Sequence, residues 1–156
     1  MGIIVGYEYD PQRSAPIAKL FHPEAKSYSY ILAPAGTNVF TEVYAYSKNI
    51  APDKLLRTGD AAPLSFFEPG DFIHAVAAFP GQRPVFGRAS GNFCQIISFE
   101  QKSDTHTSIK SQSLYAKIRL PSGKQRLIDF DSQATFGAVS SIAFSTKNIK
   151  KAGRTR

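Results

Sequence analysis

One cysteine, Cys94, occurs in the chain, so no disulfide can form within it. A lone thiol fits a reducing or organellar compartment better than secretion. Cys94 alternates with Phe93 and Gln95 in a strand-like run, where it reads as a small buried hydrophobe. No apolar run approaches the length of a membrane span, so no membrane partner is expected. No signal or transit segment opens the sequence, so work in an organelle would require synthesis there or a removed presequence. Metal chemistry has little to draw on. The three histidines, His22, His74 and His106, stand far apart, with no cysteine or carboxylate at ligand spacing. His74 lies inside an apolar run and reads as structural. Asp71 and Ser65 are near it, but no nucleophile elbow or triad pattern accompanies them. No glycine cluster matches a phosphate-binding loop or a dinucleotide fingerprint. The sequence therefore predicts no catalytic residue, no metal and no cofactor, and a protein that is not an enzyme.

What is present is β-structure. The 42% hydrophobic content excludes wholesale disorder, and the apolar runs are short and frequently punctuated. No heptad and no long 3.6-residue periodicity appears. Strands are predicted over 3–9, 17–21, 28–33 and around 41–46. The stretch 47–62 reads as a linker with at most one helical turn, and a domain boundary falls near Gly59. Beyond it, 72–79 and 93–99 read as strands and 101–111 as a mobile surface loop. The clearest hairpin is 114–120, the turn Pro121-Ser122-Gly123, and 124–130. Residues 134–139 are expected to close the second unit. Two all-β units of this size suit small barrels, because closure removes exposed strand edges.

Between two of these strands lies Phe79-Pro80-Gly81-Gln82-Arg83-Pro84-Val85-Phe86-Gly87-Arg88-Ala89-Ser90-Gly91, with three glycines, two prolines, two arginines and no acid. A stiffened cationic loop on a strand scaffold suits an extended anion such as a nucleic-acid backbone. Basic side chains Lys117, Arg119, Lys124 and Arg126 surround the later hairpin turn. Five of the 19 basic residues, Lys147, Lys150, Lys151, Arg154 and Arg156, fall in the last ten positions, which hold no acid. Such a tail reads either as an arm for a polyanion or as a solvated terminus.

Four stretches, taken together, resemble the universal large-subunit ribosomal protein two family. Glu8-Tyr9-Asp10-Pro11-Gln12-Arg13-Ser14-Ala15 is similar to its E-Y-D-P-N-R-S-A motif, and Tyr30-Ile31-Leu32-Ala33-Pro34 is identical to its Y-I-L-A-P. Arg119-Leu120-Pro121-Ser122-Gly123 resembles R-L-P-S-G, and Ala134-Thr135-Phe136-Gly137 resembles A-T-I-G. Lys151-Ala152-Gly153-Arg154 matches a K-A-G-R near the end. Order and spacing hold across nearly the whole chain. One departure is local: Gln82-Arg83-Pro84 stands where the family has a lysine and two glycines.

The resemblance implies an incomplete OB-like barrel over 1–58, an SH3-like barrel over 59–140 and a basic tail over 141–156. It implies a structural constituent of the large ribosomal subunit that binds large-subunit ribosomal RNA during translation, among neighbouring ribosomal proteins. The family's two main RNA-binding arginines would fall at Arg13 and Arg88, with Arg83, Lys19, Arg119, Lys124, Arg126 and the tail cations Lys147, Lys150, Lys151, Arg154 and Arg156 as further contacts. A shortened, weakly basic, Phe-rich chain resembles organellar relatives, which implies the mitochondrial matrix. Relative to the family, the first strand of the first barrel and the long C-terminal extension are missing. A second polypeptide is therefore expected to supply them. The alternative function is an RNA chaperone or translation factor with small β-barrels outside the ribosome.

Overall fold

The structure, a computed structural model, describes residues 1–49, 55–103, 112–144 and 147. It is all-β, built from an OB-like sheet and an SH3-like half-barrel. In the first unit β1 (Gly2–Glu8), β2 (Ile17–His22), β3 (Ser27–Leu32) and β4 (Glu42–Val43) form one sheet in the order β3-β2-β1-β4. Alternation selects its buried face. Ala18 and Leu20 on β2 point inward and pack with Ile4, Ala33 and Val43, while Lys19 points outward. A register shift between Ile4 and Gly6 bulges β1. Val5, Tyr7 and Tyr9 all remain exposed, and Tyr9 falls beyond the strand end.

The second unit has a six-stranded sheet in the order β11-β10-β9-β6-β12-β5. Its strands are β5 (Ala61–Pro63), β6 (Phe72–His74), β9 (Cys94–Ser103), β10 (Gln112–Arg119), β11 (Gln125–Asp129) and β12 (Gln133–Phe136). Leu64, Phe67, Ile73, Val76, Ile96, Ile118 and Ile128 fill its core. Cys94 is fully buried in that core, where burial pushes its thiol up to about 11. It is the inert hydrophobe its neighbours in sequence indicated. The 114–130 hairpin forms as expected. Gly123, at φ 81°, lets its N–H donate to Leu120 O at 2.9 Å, and Leu120 N donates to Lys124 O at 2.8 Å.

Four expectations need correction. The run 72–79 is not one strand: Ala75 takes φ 49°, breaking it into β6 and β7 (Val76–Ala77). The arginine-rich stretch 79–91 is not a plain loop either. It contains β8 (Pro84–Phe86), which pairs with β7 in a separate two-stranded sheet. Finally, 47–62 is not all linker, because β5 begins at Ala61, pairs with β12, and is bridged in parallel by Ala45. Part of the loop expected over 101–111 is strand, since β9 runs to Ser103. The helical turn expected before 62 would include residues outside those described.

The two units are stitched together by backbone. Pro34 and Val139 form an antiparallel bridge, flanked by Ala35 N to Ala138 O at 2.8 Å and Ser140 N to Ala33 O at 2.9 Å. Asp60, buried at the junction, accepts from Tyr44 N at 2.8 Å and from Arg57 N at 2.9 Å. Its own carbonyl accepts from Phe136 N at 2.9 Å. A buried carboxylate held by two backbone donors, on a residue whose carbonyl pairs with β12, fixes where the sheets meet.

Candidate nucleic-acid interface

Arg13 sits on a turn that its own sequence builds. Pro11 fixes φ one residue after Asp10, and Arg13 N donates to Asp10 O at 3.1 Å. The Asp10 carboxylate accepts from Gln12 N at 2.9 Å and from Arg13 Nε at 2.8 Å. Arg13 therefore sits beside an acid, unlike Arg88 in its acid-free loop. Asp10 holds one edge of the guanidinium, and the side chain stays 40% exposed, so its terminal nitrogens keep donors for a ligand.

Arg88 follows β8 and Gly87, whose φ of 63° swings the chain back across the sheet. Ser90 then anchors the loop. Its hydroxyl donates to Ser140 O and Ser141 O, both at 3.3 Å, and Gly91 N donates to Ser140 O at 3.0 Å. Ser90 N donates to Ser14 Oγ at 3.2 Å, which ties this loop directly to the turn that carries Arg13.

The result is a cleft of about 650 Å³ between the two units, with Arg13, Arg83 and Arg88 on its wall. Asp10, Tyr30 and Gln133 also line it, as do apolar groups such as Ile17 and Leu32. A smaller recess of about 370 Å³ lies between Arg13 and Arg88 themselves, lined also by Gln12, Ser14 and Ala89. Two arginines 75 positions apart thus face one concave surface. Arg83 and Arg88 are exposed and have no carboxylate partner among the described residues. A fork-shaped donor on each side of a cleft suits bidentate contact with phosphate oxygens.

The other candidates lie elsewhere. Lys19, on β2, reaches Glu8 Oε1 at 3.6 Å and covers the Tyr28 ring at 5.1 Å, so a carboxylate and an aromatic face already engage it. Arg126 lies over the Phe86 ring at 5.5 Å. Lys124 and Arg119 are exposed around the β10–β11 turn. None of these four lines the cleft. Lys147 is exposed, while Lys150, Lys151, Arg154 and Arg156 lie outside the described residues. Sequence reasoning missed Asp10, Tyr30 and Gln133 as parts of this surface. Asp10 was findable, because an aspartate before proline and three residues before arginine is an Asx-turn signal.

Residues 1–45 match the family profile described as "Ribosomal Proteins L2, RNA binding N-terminal domain", and residues 57–156 match "Ribosomal Proteins L2, C-terminal domain". The chain belongs to the ribosomal protein L2 family. It is 31% identical over 154 residues to a large ribosomal subunit protein uL2 from Amoebophilus asiaticus (strain 5a2). That match covers 99% of this chain and 50% of the relative, so the chain spans about half the length of the curated relative it matches. The two profiles meet near the stitched junction between the sheets, and the cleft draws arginines from both: Arg13 from the first, Arg83 and Arg88 from the second. Among the described residues no three His, Cys, Asp or Glu side chains are grouped to hold an ion, and His106 lies outside those residues.

Proposed function

We propose that this chain is a structural constituent of a large ribosomal subunit and holds ribosomal RNA through the cleft that Arg13 and Arg88 share. The observation that carries the reading is that juxtaposition, on two loops braced by the Ser90–Ser14 hydrogen bond. Membership of the ribosomal protein L2 family and the name of the uL2 relative support it. The work of such a protein is positioning, and neighbouring ribosomal proteins complete its surroundings. The division into an OB-like unit over 1–58, an SH3-like unit over 59–140 and a tail over 141–156 is supported by two separate apolar clusters. Placement in the mitochondrial matrix rests on the resemblance to shortened organellar forms. A fluorescent fusion expected to coincide with the matrix checks it. A second polypeptide is proposed along the open four-stranded sheet, whose outer strands β3 and β4 offer edges for strand addition.

The test is binding of large-subunit ribosomal RNA by the purified chain. Replacing Arg13 or Arg88 with alanine is expected to weaken binding by about 1.5–3 kcal/mol, the range for hydrogen bonds to charged groups. Arg57→Ala, an exposed cation that does not line the cleft, is the control. Equal losses at all three positions would show that the cleft has no special part. The chain is also expected to sediment with the large subunit after a salt wash, whereas an RNA chaperone or translation factor would come off.

A further inference from the structure

A second concave surface lies on the six-stranded sheet, away from the cleft. It is a groove of about 480 Å³ between the Gly91–Asn92 corner and the β10–β11 turn, and it shares no lining residue with the cleft. Strand register builds its floor. Phe72 on β6 stands opposite Gln95 on β9, and Gln95 stands opposite Arg119 on β10. Their neighbours Ile73, Ile96 and Ile118 are buried, so these three share the outward face in one row across three strands, about 4.8 Å apart. Phe93 closes one side, its ring 4.8 Å from Phe72 and tilted by 73° in an edge-to-face pair.

Two features set this row apart. Phe72 and Phe93 remain 49% and 44% exposed, so an aromatic surface is held in place but left open. Arg119 has no carboxylate partner among the described residues, unlike Arg13, Lys19, Lys48 and Lys117, and no carboxylate lines the groove. Gln95 makes one long side-chain hydrogen bond, from Nε2 to Gly70 O at 3.4 Å. An aromatic, an amide and a guanidinium in a row supply a stacking surface, a hydrogen-bonding edge and an anion fork.

We propose that this groove takes one unpaired nucleotide of RNA. Its base stacks on one ring of the edge-to-face Phe72–Phe93 pair and abuts the other, Gln95 meets the base edge, and Arg119 holds the phosphate. The inference rests on the RNA-binding reading above but assigns a separate surface with a different selectivity. Aromatic stacking accepts any base, because every base has a π-face, and it requires that the face be free. A paired helix hides its base faces, so the groove selects loops, bulges and single strands. An apolar segment of a neighbouring protein would cover the phenylalanines and leave the Arg119 charge unmatched, which is why RNA is the better occupant.

The chain contains no tryptophan, so Phe93→Trp installs a lone indole in the groove. The full chain carrying it is titrated with single-stranded oligoadenylate and with a fully paired RNA duplex of equal length. Single strand is expected to quench the indole and duplex to leave it unchanged. Phe72→Leu and Arg119→Gln are each expected to weaken single-strand binding about tenfold while leaving duplex binding unchanged. Arg119 is exposed, so its substitution reports on binding even if Phe72→Leu disturbs the fold. Equal quenching by both RNAs overturns the proposal. So does an indole that neither RNA quenches, including one whose emission shifts only when a large-subunit protein is added. Failure of the ribosomal-RNA reading shows separately, as Arg13→Ala and Arg88→Ala chains that bind ribosomal RNA normally.

Discussion

Gly91 shows how the absence of a side chain lets two distant segments approach closely. At φ 69° it takes the left-handed conformation, and a Cβ built there would lie 2.8 Å from Ile142 Cα. Both the conformation and the contact disfavour any other side chain. Gly91→Ala is expected to destabilise the fold by at least about 1–3 kcal/mol, the range for a strained left-handed residue. Gly81→Ala is the comparison: φ is 75°, yet nothing lies within 4 Å of its Cβ, so only the conformational cost of about 1–2 kcal/mol applies. Chemical denaturation measures both, and equal losses would mean that the contact with Ile142 is soft. Within the candidate site, the 79–91 loop that carries Arg88 was visible from its prolines, glycines and lack of acid, whereas Arg13 was picked out only by the family resemblance. Their convergence was illegible from composition and spacing, because it depends on the Ser90–Ser14 hydrogen bond and the Pro34–Val139 bridge, each made between distant segments.

At the scale of elements, His74 joins β6 to the end of β12. Its ring is 1% exposed, and Nδ1 lies 3.0 Å from Gly137 O, a carbonyl that can only accept, so Nδ1 carries the proton. Burial is the larger influence and holds the imidazole pKa below its ordinary 6.5, while the Gly137 contact opposes it in part. The unfolded chain therefore binds a proton at a pH where folded His74 does not. This contribution to stability is full above pH 6.5 and is lost as pH falls below it toward the folded value. The slope can reach at most about 1.4 kcal/mol per pH unit for one proton. Unfolding followed between pH 7 and pH 5 should show this slope, and His74→Gln should flatten it. An unchanged slope would assign the proton uptake elsewhere. Elements were legible where pairing is local. The β10–β11 hairpin has alternation and a proline–glycine turn, and it was readable. By contrast β5 is Ala-Ala-Pro, with no alternation to see, and it exists because β12 pairs with it. The strand β8 hides among prolines and glycines for the same reason.

For the whole molecule, charge is unevenly spread, and the basic tail should govern the salt dependence of RNA binding. Deleting residues 148–156 removes Lys150, Lys151, Arg154 and Arg156. Each neutralised phosphate contributes about 0.7–0.9 to the log–log salt slope, so losing four cations should flatten the slope by up to about 3.6. A slope that does not change would show that the tail touches no phosphate. The two-unit all-β architecture was legible from punctuation and short apolar runs, while the stitching between units was not, since each hydrogen bond crosses between segments far apart in the chain. The strand order β11-β10-β9-β6-β12-β5 has a further consequence, in time. Among the described residues β12 is the last strand in chain order, and it lies between β6 and β5, pairing with both. A ribosome adding 5–20 residues per second takes roughly 4 to 15 s to travel from Pro63 to Phe136. Throughout that interval β5 has only its bridge to Ala45, and Ala62, Leu64 and Phe67 have no finished core to enter. Until β12 is made, the apolar side chains that β5 and the turn after it bring to the core stay open to other chains, a consequence of strand order rather than of composition.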